Sequence, residues 1–93
     1  MTKISELEKE GEIYEIEGIV VDIEEPKEVI IKKSGEKVKV QHIRVADEGT
    51  IEPTLTISLW REEAGKYKIG DKIKVKGIFE RFRGGYYFSR LVR

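Results

Sequence analysis

The sequence predicts an all-β domain, a small closed barrel of five strands with one short helix inserted, and three observations carry that reading. Apolar residues recur with period two through five separate runs, the pattern of strands with one buried face. Glycines or turn residues separate and interrupt those runs, as a small sheet requires if it is to coil and close on itself. The length, 93 residues, suits one core, so residues 1–93 are read as a single domain.

Met1 to Glu10 sets Ile4 and Leu7 three apart, a short turn covering one end of the domain, with Ser5 as its cap and Gly11 as its stop. Ile13 to Ile23 is the first strand. Its alternation breaks at Gly18, which marks a bulge or sharp bend in a strand serving both halves of a barrel. Pro26 then ends regular pairing, because proline donates nothing to a ladder. Lys27 to Glu36 holds a short strand extension, Val29 to Ile31, and a hairpin tip at Lys32-Lys33-Ser34-Gly35.

Lys37 to Asp47 is the second strand. Its apolar phase slips at His42, which implies a further bulge and brings Lys39, Gln41 and Arg44 to one polar face. After a loop from Glu48 to Pro53, Leu55 to Trp60 forms the third strand. Leu55, Ile57 and Leu59 face the core, so Thr56, Ser58 and Trp60 project the other way. Arg61 to Tyr67 carries helix formers interrupted by Gly65, enough for one or two turns that plug the lower end with Ala64 and Tyr67.

Lys68 to Asp71 turns into the fourth strand, Asp71 to Phe79, with Ile73 and Val75 inward and Gly77 resetting the phase. Glu80 to Gly85 reads as a turn with Phe82 between Arg81 and Arg83. Tyr86 to Val92 is the last strand, with Tyr86 and Phe88 on one face and Tyr87 and Ser89 on the other. Five strands with a helix between the third and fourth describe the Greek-key barrel of the OB-fold.

Composition narrows the function. There is no cysteine, so disulfide scaffolds and thiolate chemistry are excluded, and the single histidine, His42, cannot build a His-based metal site. Ser5, Ser34, Ser58 and Ser89 have only His42 as a conceivable base, and no phosphate-cradling glycine loop occurs. The expectation is a binding protein rather than an enzyme, without metal or cofactor. No apolar run approaches a membrane span and no signal-peptide pattern opens the chain, so a soluble, cytoplasmic protein is expected. Asparagine is absent, glutamine occurs once, and ionic side chains dominate, a bias shared by thermophilic and idealised sequences.

Charge sums to zero but is unevenly placed. Residues 1–28 carry three lysines against ten carboxylates, whereas residues 71–93 carry seven cations against two carboxylates. Either the domain has one basic side, or the opposite charges face each other across adjacent strands.

Trp60 is the strongest single signal. A large ring on a polar sheet face invites a stacking partner, and nucleobases are the commonest sequence-tolerant one. In an OB-fold, the faces and loops that bind oligonucleotides here hold Lys39, Gln41, Arg44 and Trp60, then Lys32 and Lys33, then Arg81, Phe82 and Arg83, with Tyr87 on the last strand's polar side. Rings interleaved with cations suit single-stranded nucleic acid, with Trp60 and Phe82 stacking and the cations on phosphates.

Six segments carry a resemblance. They are Ile4-Ser5-Glu6-Leu7 with Gly11, Glu17 to Val21 with Glu24-Glu25-Pro26, Ile43 to Glu48, the strand ending in Trp60, Tyr67 to Asp71, and Phe82-Arg83-Gly84-Gly85. In this order the chain resembles the OB-fold domains of archaeal replication protein A and related single-stranded DNA-binding proteins. The resemblance implies base stacking on Trp60 and Phe82, low sequence preference for single-stranded DNA or RNA, and partnership with other OB domains or with replication and repair proteins. The chain departs from the family at Asp47 to Thr54, which is longer than the usual turn and contains Pro53. Two alternatives use the same fold: a protein-interaction domain taking an acidic or amphipathic peptide, and a stabilised or designed scaffold without a ligand.

Overall fold

The computed structural model describes residues 1–90. It contains six strands: β1 (Ile13–Ile23), β2 (Lys27–Ile30), β3 (Lys37–Ala46), β4 (Leu55–Trp60), β5 (Lys72–Phe82) and β6 (Gly85–Arg90). They form one sheet in the order β1-β5-β6-β4-β3-β2, and an additional β1–β3 pairing closes it into a ring that leaves β2 outside. β4 and β6 run parallel, and the other pairs are antiparallel. Leu91 and Val92, assigned to the last strand from the sequence, lie outside the described residues, as does Arg93.

The alternating apolar residues line the inside of this ring. Ile16, Val20, Ile43, Val45, Leu55, Ile57, Leu59, Ile73, Val75, Phe79 and Phe88 make one buried cluster. Ile4 and Leu7 join it from the N-terminal segment, which covers one end of the ring. The segment's 3-10 turn, Ile4–Glu6, is held by a device the sequence reading missed. The Asp47 carboxylate accepts the backbone N–H of Ile4 at 2.7 Å and of Ser5 at 3.1 Å, satisfying donors that a turn of this kind leaves free.

Several expectations are corrected. The Val29 to Ile31 extension is a strand in its own right, β2, so the sheet has six strands rather than five. The segment after Trp60 forms only one 3-10 turn, Arg61–Glu63, because Arg61 enters it at φ 59° and Gly65 leaves at φ 85°. Tyr67 still packs against the core, as expected. β5 runs on to Phe82, so Arg81 and Phe82 are strand residues. The hairpin turn is Arg83-Gly84 alone, with φ of 50° and 78°, the backbone of a type I′ turn.

The bulge positions also differ. β3 pairs with β2 and β4 without interruption, so the phase slip at His42 is no bulge. The irregularity lies in β1 between Val20 and Asp22, where the ladder to β3 skips a residue. Gly18 and Gly77 serve close approach instead. A Cβ on Gly18 would lie 2.9 Å from the Ala46 carbonyl oxygen, and one on Gly77 would lie 2.8 Å from that of Ser89 and 3.1 Å from the Phe88 ring.

Candidate functional site

Residues directly opposite one another in a ladder share a face. On β3 and β4 the pairs Arg44–Thr56, His42–Ser58 and Val40–Trp60 therefore lie on the outside of the ring, and Thr56 in turn stands opposite Tyr87 of β6. These pairs form one continuous outer surface. In it lies a cleft of about 290 Å³, lined by Asp22, Glu24, His42, Arg44, Thr56, Ser58 and Tyr87.

Aromatic rings stand at both ends of the surface. Trp60 is 48% exposed at the last position of β4. It is four residues along the strand from Thr56, hence about 13 Å away at the usual rise. At the other end Phe82, 61% exposed, meets Tyr87 edge to face, with ring centroids 6.4 Å apart. The Arg83 guanidinium lies 5.2 Å from the Phe82 ring centre. A stacking ring, a polar cleft and a second stacking pair thus follow one another.

Four of the cleft's polar groups are paired within it. The Arg44 guanidinium donates to the Asp22 carboxylate at 3.1 Å, and His42 Nδ1 lies 2.9 Å from Ser58 Oγ. Asp22 owes its position to the β1 bulge. With strict alternation it would share the inward direction of Val20, and the extra residue turns it outward to face Arg44. Sequence alternation hid this, because Ile19, Val20 and Val21 are all apolar and give no sign of which one is skipped.

Two of the expected binding residues are placed elsewhere. Gln41 faces inward and is 2% exposed; its Nε2 donates to the Glu24 carbonyl at 2.9 Å and its Oε1 accepts the Gly65 N–H at 2.8 Å. It is a structural bridge rather than a surface contact. Lys39 has the same parity as Gln41 in an unbroken β3, so it projects from the face opposite Trp60, across from Glu28 of β2. The expected bulge would have brought both lysine and glutamine round, and the ladder shows none there.

The remaining cations divide by position. Arg81 shares the parity of Phe79 and spreads over the Phe79 and Tyr86 rings, 5.3 and 5.8 Å from their centres, closing the ring's mouth. Lys32 and Lys33 are exposed at the tip of the β2–β3 hairpin. That hairpin is tied to the site, since the Arg61 guanidinium donates to both carboxylate oxygens of Glu36 at 2.7 and 3.3 Å. The hydrogen bonds from Arg61 hold the Glu36 carboxyl below its ordinary range, and Glu36 in turn raises Arg61.

The uneven charge resolves across the β1–β5 ladder. Glu15 stands opposite Lys76 and Glu17 opposite Lys74, so two of the three lysines of β5 face carboxylates across the ladder rather than forming a basic side. No family model, curated protein or solved structure matches the chain.

A larger cleft, about 580 Å³, lies at the N-terminal end between Thr2, Lys3, Gly18, Asp47 and Lys72. No aromatic ring lines it, Asp47 is committed to the Ile4–Glu6 turn, and Lys72 lies 3.7 Å from Glu48. Its polar groups serve the fold. Among the described residues no cluster of three or more His, Cys, Asp or Glu side chains has metal-binding geometry, and no helix is long and apolar enough to cross a membrane.

Proposed function

We propose that the chain is an OB-fold module that binds single-stranded DNA with low sequence preference, in the manner of replication protein A. Bases stack on Trp60 at one end of the outer face and on the Phe82–Tyr87 pair at the other. Arg83 and the hairpin lysines Lys32 and Lys33 meet phosphates along the rim. Arg44 and Arg81 are engaged within the protein, and they hold the surface rather than the backbone of the strand.

The observation that carries this reading is the exposure of Trp60 on the same outward surface as Tyr87 and Phe82. Three rings on one side of a sheet, Trp60 at 48%, Phe82 at 61% and Tyr87 at 38% exposed, keep open surface beyond the Phe82–Tyr87 contact and the valine beside Trp60. The OB-fold assignment is supported by strand order. Numbering only the ring strands, the fourth lies beside the first, and the first, second and third follow in turn, as in a Greek key. An acidic peptide suits the surface less well, because the cleft itself carries Asp22 and Glu24.

Two stacked bases at ~1–3 kcal/mol each, with a few phosphate contacts, correspond to roughly micromolar affinity that weakens with salt. The test is a titration of oligo-dT against Trp60 fluorescence at two salt concentrations, with oligo-U and duplex DNA alongside. Saturable quenching by the single strands, weaker at high salt and absent with duplex, is expected. Constant fluorescence at low salt and high concentration would refute the proposal.

A further inference from the structure

The cleft between the aromatic ends of the outer face is not cationic. Arg44 is the one permanent cation in its lining, set against the carboxylates of Asp22 and Glu24, and it is already paired with Asp22. A phosphate entering here would meet net negative charge, so the sugar–phosphate backbone of a bound strand runs outside it. What enters is the uncharged part of a nucleotide, its base. The volume, about 290 Å³, is of the order a single nucleoside fills.

The Asp22 carboxylate is held in place, and so is the backbone that carries Glu24. The bulge in β1 turns Asp22 outward, and the Arg44 guanidinium fixes one of its oxygens at 3.1 Å. Glu24 is exposed, but its backbone is pinned on both sides. Its N–H donates to the His42 carbonyl at 3.1 Å, and its own carbonyl accepts from buried Gln41. Ionised carboxylates accept hydrogen bonds and cannot donate them. A base edge turned toward them gains if it presents an amino group, whereas uracil and thymine offer only an N3–H set between two carbonyl oxygens that the carboxylates repel. The Ser58 hydroxyl, with His42 beside it, donates or accepts and discriminates little.

We propose that this cleft is a base-reading subsite that favours an exocyclic amino group, taking cytosine in preference to uracil or thymine, with Asp22 and Glu24 as the acceptors. The inference rests on the single-strand reading above and refines it. Binding is sequence-tolerant at the stacking rings and selective at one position between them.

The clean probe is a pair of nonamers, oligo-dC and oligo-dU, whose bases differ in the amino or carbonyl group at C4 and the N3 proton that accompanies it. Each is titrated against Trp60 fluorescence at pH 7.5. The dC nonamer binds about tenfold more tightly, within the span that one specific base contact provides. In the double variant Asp22→Asn, Glu24→Gln, amides that both donate and accept replace the carboxylates. Both positions are exposed, so the variant folds, as circular dichroism checks, and dC and dU then bind alike. Equal or tighter binding of dU by the original protein overturns the subsite, as does a preference that survives in the double variant. Failure of both nonamers to quench would instead bring down the single-strand reading, and this inference with it.

Discussion

Trp60 stands directly opposite Val40 in the β3–β4 ladder, yet Val40 is 3% exposed while the indole keeps 48% of its surface in water. Cross-strand partners of this kind sit with their Cβ atoms about 5 Å apart. The ring is therefore rooted beside a buried valine and open on its far side, a fixed platform rather than a loose appendage.

Replacing Trp60 by Ala should therefore separate binding from folding. Losing one stacked base costs ~1–3 kcal/mol of affinity, roughly a 5- to 150-fold weaker Kd. The stability loss stays near 1 kcal/mol, because the ring is half-exposed. Since this removes the only tryptophan, the readout is anisotropy of a labelled oligo-dT. Unchanged affinity would show that bases do not use the indole.

Gln41 behaves the other way. Gln41→Leu leaves the Gly65 N–H and the Glu24 carbonyl without their partner in a part-buried site, at a cost of ~1–3 kcal/mol. Urea denaturation measures that loss, while oligo-dT affinity of the folded protein stays within about twofold. A large loss of dT affinity at full stability would return Gln41 to the binding surface.

Gly77→Ala places a methyl group 2.8 Å from the Ser89 carbonyl oxygen and against the Phe88 ring. Backbone has to move, which costs ~1–3 kcal/mol. In a domain of this size the melting temperature falls by roughly 4–8 °C per kcal/mol. A variant melting with the parent would mean the β5–β6 crossing relaxes freely.

The Glu36–Arg61 pair sets a pH dependence for the hairpin. Glu36 is held below the ordinary carboxylate range, so its contribution is complete above the unfolded-state value and disappears as pH falls through the lowered folded value. Arg61 is raised and stays charged throughout. The protection of the Ile31 and Gly35 N–H groups, which close the hairpin tip, measured as exchange relative to the intrinsic rate at each pH, is therefore expected to fall in acid. In Glu36→Gln that acid dependence disappears. Identical profiles for the two proteins would refute the tether.

Much of the fold was readable because alternation reports directly on burial. Leu55, Ile57 and Leu59, like Ile73 and Val75, face the core as their spacing requires. What escaped depends on residues distant in the chain. The inward turn of Gln41 is explained only by Glu24 and Gly65, and the space denied to Gly77 only by Ser89 and Phe88. The type I′ turn was obscured because arginine occupies a position where asparagine or glycine usually announces it. At the candidate site, the outward direction of Trp60 and Tyr87 was legible from parity, whereas the cleft was not, since an unmarked bulge delivers Asp22 to it.

β6 is wedged between β4 and β5, bonded to both. Neither neighbour finds its second lateral partner until that late segment arrives, so the circle of strands cannot be completed piecemeal from the N-terminus. Assembly must wait for pairings between distant parts of the chain, an arrangement that places folding on the millisecond-to-second scale rather than the microsecond one. Nascent chains stalled before residue 85 would thus expose the flanks of β4 and β5 together, a vulnerability for which helper proteins exist.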